Sequence, residues 1–179
     1  PLALLSIRSN HKVVRGLVHL AYTGNVLPGI VIALALVYFA SQNMFSLYQT
    51  LPLLIIGYSI RYLPLSISAT QSAFVQINPR FEEAARSLGL SSAETVLRIT
   101  LPLARSGIIA GLALVFLNVM KELPITLILR PIGFRSFATR IWTAYDSAFL
   151  TSMALPGLTL IIASAVALAV ILWREEKGQ

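Results

Sequence analysis

The chain has 179 residues, 56% of them hydrophobic and only 12% charged, with a mean hydropathy of +0.78 and a formal charge of +7. Soluble domains carry about 25% charged residues, so a water-soluble fold is excluded and the bilayer is the expected solvent. Cysteine is absent, which excludes disulfides and thiolate metal sites. His11 and His19 stand eight apart without a paired partner, so no metal site is expected.

The positive charge fits a positive-inside bias better than nucleic acid, because Arg8, Lys12 and Arg15 immediately precede an apolar segment. No Asp, Glu, Lys or Arg occurs from 16 to 60 or from 147 to 173. Each stretch is long enough for at least one pass of about 20 residues. At the start, Pro1-Leu2-Ala3-Leu4-Leu5 reads like the end of an earlier apolar segment.

Four passes are predicted. The first covers about 26–41, with Pro28 and Gly29 in its first turn, where a missing N–H costs little. A polar turn follows, framed by Ser41-Gln42-Asn43 and Tyr48-Gln49-Thr50. The second covers about 51–74. It contains Gly57, Arg61 and Pro64 and should be kinked or locally irregular.

A polar island then interrupts the apolar pattern. Asn78-Pro79 offers a cap followed by Pro at the first helical position. Glu82 and Glu83 fall near that helix's positive end. Gly89 is placed to end it in a left-handed conformation, with Leu90 as the following apolar contact. Ser91 and Glu94 form a capping-box pattern for a second short helix, and Leu101-Pro102 marks where the third pass begins. The expected order is helix, sharp turn, helix.

The third pass covers about 103–120 and carries a G-x3-G pair, Gly107 and Gly111, read as close packing within the chain. Lys121-Glu122-Leu123-Pro124 ends it. Residues 125–153 are mixed, with Arg130, Arg135, Arg140 and Asp146 among aromatics. The last pass covers about 154–173, and Arg174-Glu175-Glu176-Lys177 is a solvated tail. By parity the island and the tail are cytoplasmic, and the 42–50 turn and residues 125–153 are external. Arg8, Lys12, Arg15, Arg80, Arg86, Arg98, Arg105, Arg174 and Lys177 then lie inside, while three arginines remain outside.

A bare connecting loop needs no capped helix pair. A DNA-binding helix-turn-helix is also disfavoured, because Arg80, Arg86 and Arg98 are offset by Glu82, Glu83 and Glu94. The island's spacing, E-A-A-x3-G-x9-I-x-L-P, has seven anchors in twenty positions: Glu83, Ala84, Ala85, Gly89, Ile99, Leu101 and Pro102. It resembles the cytoplasmic coupling loop of permease subunits in binding-protein-dependent ABC importers. Lys121-Glu122-Leu123-Pro124-Ile125-Thr126-Leu127-Ile128-Leu129-Arg130-Pro131 resembles a segment of ferric-iron importer permeases, and Phe137-Ala138-Thr139-Arg140-Ile141-Trp142 and Leu155-Pro156-Gly157 continue the likeness.

The resemblance implies an all-α polytopic membrane bundle, a single transmembrane domain over 1–179 with its coupling loop at 78–100. It implies most of the C-terminal half of a longer permease in a bacterial inner membrane. The implied partners are an ABC ATP-binding subunit at the coupling loop, a second permease half or subunit, an extracytoplasmic solute-binding protein and the lipid bilayer, with no nucleic acid. No G-x4-G-K-[ST] occurs, so ATP belongs to the partner and no cofactor or catalytic residue is expected here. Ferric iron is the expected solute. Thiamine, phosphate, sulfate or polyamine permeases share the architecture, and a non-ABC secondary transporter or channel half is the alternative of another class.

Four residues are pathway or gating candidates: Arg61, Lys121, Glu122 and Pro124. Arg61 is ionisable well inside a pass, so it either lines the path or pairs structurally. Lys121 and Glu122 read either as an ion pair or as an interfacial boundary.

Overall fold

The computed structural model describes the backbone of residues 2–8 and 11–176, and side chains as far as 169. The described elements are helical: α1 Leu2–Arg8, α2 Lys12–Val26, α3 Gly29–Asn43, α4 Leu51–Val75, α5 Arg80–Ser87, α6 Ser92–Thr95, α7 Leu101–Lys121, α8 Pro124–Leu129, α9 Phe137–Asp146 and α10 Ala154–Glu176. The side chains of the predicted solvated tail, and Lys177 altogether, lie outside the described residues.

Three helices are long and apolar enough to cross a membrane: Leu51–Val75, the continuous Ser92–Lys121, and Leu150–Ala169. A fourth crossing exists only if α2 and α3, which meet at 107°, form one broken span. The expected first pass therefore differs from a simple span. Its helix, α3, has only 15 residues, and α2, absent from the sequence-based outline, carries the apolar run before it. The bend falls at Leu27 and Pro28, both extended in ψ. A residue before Pro is driven out of the helical region, so α2 must stop there.

α4 is the hub, packing against α1, α2, α3, α7 and α8. It stays one helix across Pro64, where the sequence predicts a kink or irregularity. A proline cannot donate to the carbonyl four residues back, here that of Ile60. Gly24 of α2 lies directly against this carbonyl, so close that a Cβ there would sit 2.2 Å from the oxygen. Tyr22 and Ser68 share a hydroxyl hydrogen bond of 2.6 Å beside this contact, binding α2 to α4.

Two buried clusters sit at opposite ends of α4. One joins Ala33, Ala40, Leu53, Leu54, Ile125 and Leu129; the other joins Ala73, Phe74, Ile77 and Ala104. The remaining apolar surface faces outward. Leu20, Val26, Leu112 and Leu155 are more than 60% exposed, and none of the apolar window in Leu150–Ala169 is buried. Such a surface is stable against lipid tails or partner helices and not against water. The Gly107 and Gly111 pair packs within the chain, as the sequence predicts, and the partner is α4 at Ala73 and Ala69.

Candidate functional site

The polar island folds as a helical hairpin whose capping is local and complete. Asn78 Oδ1 accepts from the Arg80 amide at 3.0 Å, starting α5. Gly89 adopts φ +89°. The Leu90 amide reaches back to Ala85 O at 3.2 Å and the Gly89 amide to Arg86 O at 3.0 Å. Those two bonds define a Schellman ending. Ser91 Oγ then accepts from the Glu94 amide, while the Glu94 carboxylate accepts from the Ser91 amide at 3.0 Å and its hydroxyl at 2.8 Å. The Ser91 amide and then its hydroxyl hold the Glu94 carboxyl below the usual carboxylate range.

The second helix of the pair does not stop at Leu101. It runs from Ser92 through a π turn, Val96–Thr100, into α7. The Leu101 amide bonds to Val96 O, five residues back. Pro102, next in line, has no amide to offer, and the wider turn absorbs the disruption that a proline brings to a helix. Ile99 lies within this turn, half-buried.

The hairpin is fixed to the bundle by a residue outside the seven anchors. Glu82 is buried, accepts a 2.8 Å hydrogen bond from the fully buried Thr100 hydroxyl, and forms an ion pair with Arg8 of α1. Ala85 is buried beside it. The adjoining exposed face carries Phe81, Ala84 and Leu88, at i, i+3 and i+7, and Glu83 on the far side is also exposed. Phe81 is 56% and Leu88 85% exposed. Large apolar side chains held outward on a capped polar hairpin mark a contact surface.

The four pathway candidates lie in two other places. Arg61 Nη1 donates to the carbonyls of Gly24, Asn25 and Leu27 at 3.0–3.3 Å, so its guanidinium caps the C-terminal end of α2 at the bend. Cations are favoured at such ends. At the α7–α8 joint, Glu122 accepts from Tyr62 Oη at 2.6 Å and from the Ile125 amide at 3.2 Å. Pro124 opens α8, and Tyr58 Oη and Thr126 Oγ1 share a 2.6 Å bond alongside. Lys121 is exposed and makes no ion pair with Glu122 among the described residues; nor does Arg61.

Arg61→Leu is expected to insert at least as well as the parent, since an intramembrane charge costs roughly 2.5–3.5 kcal/mol on insertion scales. It should nevertheless lose about 1–2 kcal/mol of stability through the uncapped α2 end. Arg61→Lys can reach the same carbonyls and should keep most of that stability. Thermal unfolding in detergent micelles measures the contrast.

Residues 1–174 match the family described as binding-protein-dependent transport system inner membrane component. The chain belongs to this family. Relatives include the Fe(3+)-transport system permease protein FbpB 2 of Haemophilus influenzae, 32% identical over 93% of this chain and 33% of that protein. A probable molybdenum ABC transporter permease protein of Haloferax volcanii is 35% identical over 54% of this chain and 38% of its own length. The spermidine/putrescine transport system permease protein PotB of Escherichia coli is 41% identical over 37% of this chain and 24% of its own. The chain thus matches between 24% and 38% of the length of these relatives. Membership makes it an inner-membrane component of a binding-protein-dependent transport system, which agrees with the helical fold. The anchors Glu83, Ala84, Ala85 and Gly89 lie on one hairpin, with Ile99, Leu101 and Pro102 on the helix leaving it.

Proposed function

We propose that this permease forms part of the path of an ATP-driven importer for ferric iron, with α5 seated on a separate ATP-binding subunit. The observation that carries the coupling role is the outward face of Phe81, Ala84 and Leu88 on a hairpin tied by Glu82 to Arg8 and Thr100. Ala84 keeps the centre of that face slim, and Glu83 offers a carboxylate at its edge. Ion-paired Glu82 passes displacement of the hairpin to α1, and the continuous helix after Ser92 passes it to α7. ATP is bound and hydrolysed by the partner. A second permease half or subunit completes the path, and an extracytoplasmic binding protein delivers the solute.

Iron is supported by the relative whose name carries it, which aligns with 93% of the chain, against 54% and 65% for two molybdenum relatives. Radioactive ferric uptake into vesicles holding the full transporter tests the solute, with molybdate and putrescine as competitors. Uptake of either competitor in place of iron would reassign it.

Glu83→Lys and Gly89→Val test the coupling. A Cβ at Gly89 meets nothing within 4 Å, so the obstacle there is the positive φ, which a β-branched residue adopts poorly. Both variants should insert normally yet lose stimulated ATP hydrolysis and uptake. Normal values in both would remove the assignment. The orientation has its own test: a cysteine at Ser87 should be labelled from the cytoplasm and one at Asn43 from outside. Both positions are exposed, and the native chain has no cysteine to interfere.

A further inference from the structure

The segment between α7 and α10 concentrates positive charge that the permease role leaves unused. Arg130, Arg135 and Arg140 fall within eleven positions, and Asp146 is the only acidic residue between 123 and 173. The fold brings the three arginines to one cavity of about 690 Å³. Arg130 is the C-cap of α8 and donates to Phe134 O at 3.3 Å across the turn at Gly133, φ +84°. Arg135 precedes α9, whose Ser136–Thr139 capping box fixes its first turn. Arg140, Thr143 and Ser147 follow at helical spacing along one wall.

The described lining contains no Asp or Glu. The ion pairs among the described residues are Arg8–Glu82 and Arg98–Glu94, so none of the three guanidinium groups is neutralised by a carboxylate. A guanidinium presents a planar fork of donors that matches carboxylate and phosphate oxygens in pairs. Three such forks with hydroxyls around one recess concentrate positive potential and attract anions. We infer that this cavity binds a small oxyanion or polycarboxylate, held by Arg130, Arg135 and Arg140 with the Ser147 hydroxyl as a further donor; the Thr143 hydroxyl already donates to Thr139 O at 2.8 Å. The inference concerns binding alone and does not depend on the importer reading.

The test uses the full-length transporter in nanodiscs of phosphatidylcholine only, titrated calorimetrically with inorganic phosphate and with citrate at low ionic strength. Saturable binding of at least one probe is expected. Arg135→Gln and Arg140→Gln should each weaken it about tenfold, the loss expected for one charge-assisted pair, and the double variant should abolish it. Arg140→Lys should fall between parent and Gln, since it keeps the charge without the fork. Both arginines are exposed, so the fold should survive, and unchanged melting temperatures would verify this. Binding of both probes weaker than about 10 mM would overturn the inference. So would full binding in the double variant. Anionic lipid retained without free-anion binding would assign the arginines to headgroups and overturn it too. Loss of binding-protein affinity in the Gln variants, again without anion binding, would assign them to a protein contact instead.

Discussion

Glu82→Ala is expected to release the helical hairpin of α5 and α6 from the bundle while leaving the membrane helices assembled. Three segments meet at this carboxylate: α1 through Arg8, α5 itself, and the π turn before α7 through Thr100. Thr100 is fully buried, so its hydroxyl loses the 2.8 Å partner in a place water does not reach. An unsatisfied buried hydroxyl costs about 1–3 kcal/mol. Arg8 is partly exposed and can rehydrate, which limits the electrostatic part of the loss. The capping bonds of α5 and α6 do not involve the Glu82 side chain, so the hairpin should remain helical but loosely held. Amide hydrogen exchange should therefore rise across 78–100 without rising in α4 or α7, and stimulated ATP hydrolysis should uncouple from uptake. Glu82→Gln keeps an acceptor for Thr100 and loses the charge, so it should fall between. Parent-like exchange in Glu82→Ala would show that the hairpin is held by something else.

That carboxylate illustrates what the sequence could and could not reveal. Asn78, Gly89 and the Ser91–Glu94 box act within a turn of their own position, so residue type and spacing sufficed to place the hairpin. Glu82 acts across 74 positions to Arg8. Nothing local distinguishes it from Glu83, yet one faces the bundle and the other solvent. The exposed apolar face was hidden for the same reason, because Phe81 and Leu88 look like ordinary core residues until the helix is oriented. Arg61 was legible as an oddity but not as a cap, since the carbonyls it serves belong to α2. α9 escaped because its capping box has Thr139 in the position where Glu or Gln usually gives the signal. The Lys121–Glu122 pairing failed to form because Tyr62 and the start of α8 take the carboxylate.

Gly107→Leu is expected to have the larger effect on assembly, because it acts where α4 and α7 touch. A Cβ at Gly107 would stand 2.5 Å from Ala73 Cβ and 3.2 Å from its Cα, and one at Gly111 would stand 2.7 Å from Ala69 Cβ. These neighbours are methyl groups on helix backbone, so relief requires the helices themselves to separate. In lipid no hydrophobic gain offsets that separation, because contact with acyl chains is as apolar as contact with a neighbouring helix. Overpacking of this kind costs roughly 1–3 kcal/mol per site, and Gly107→Leu with Gly111→Leu should approach the sum. The buried cluster of Ala73, Phe74, Ile77 and Ala104 lies on the same seam, so the damage should spread to the base of the hairpin. Thermal melting in detergent should drop for each single variant. The decisive arm is compensation: Gly107→Ala should lower the melting temperature, and adding Ala73→Gly should restore it by removing the methyl group it strikes. Failure of that second change to restore stability would mean that the two helices do not meet at this pair of residues.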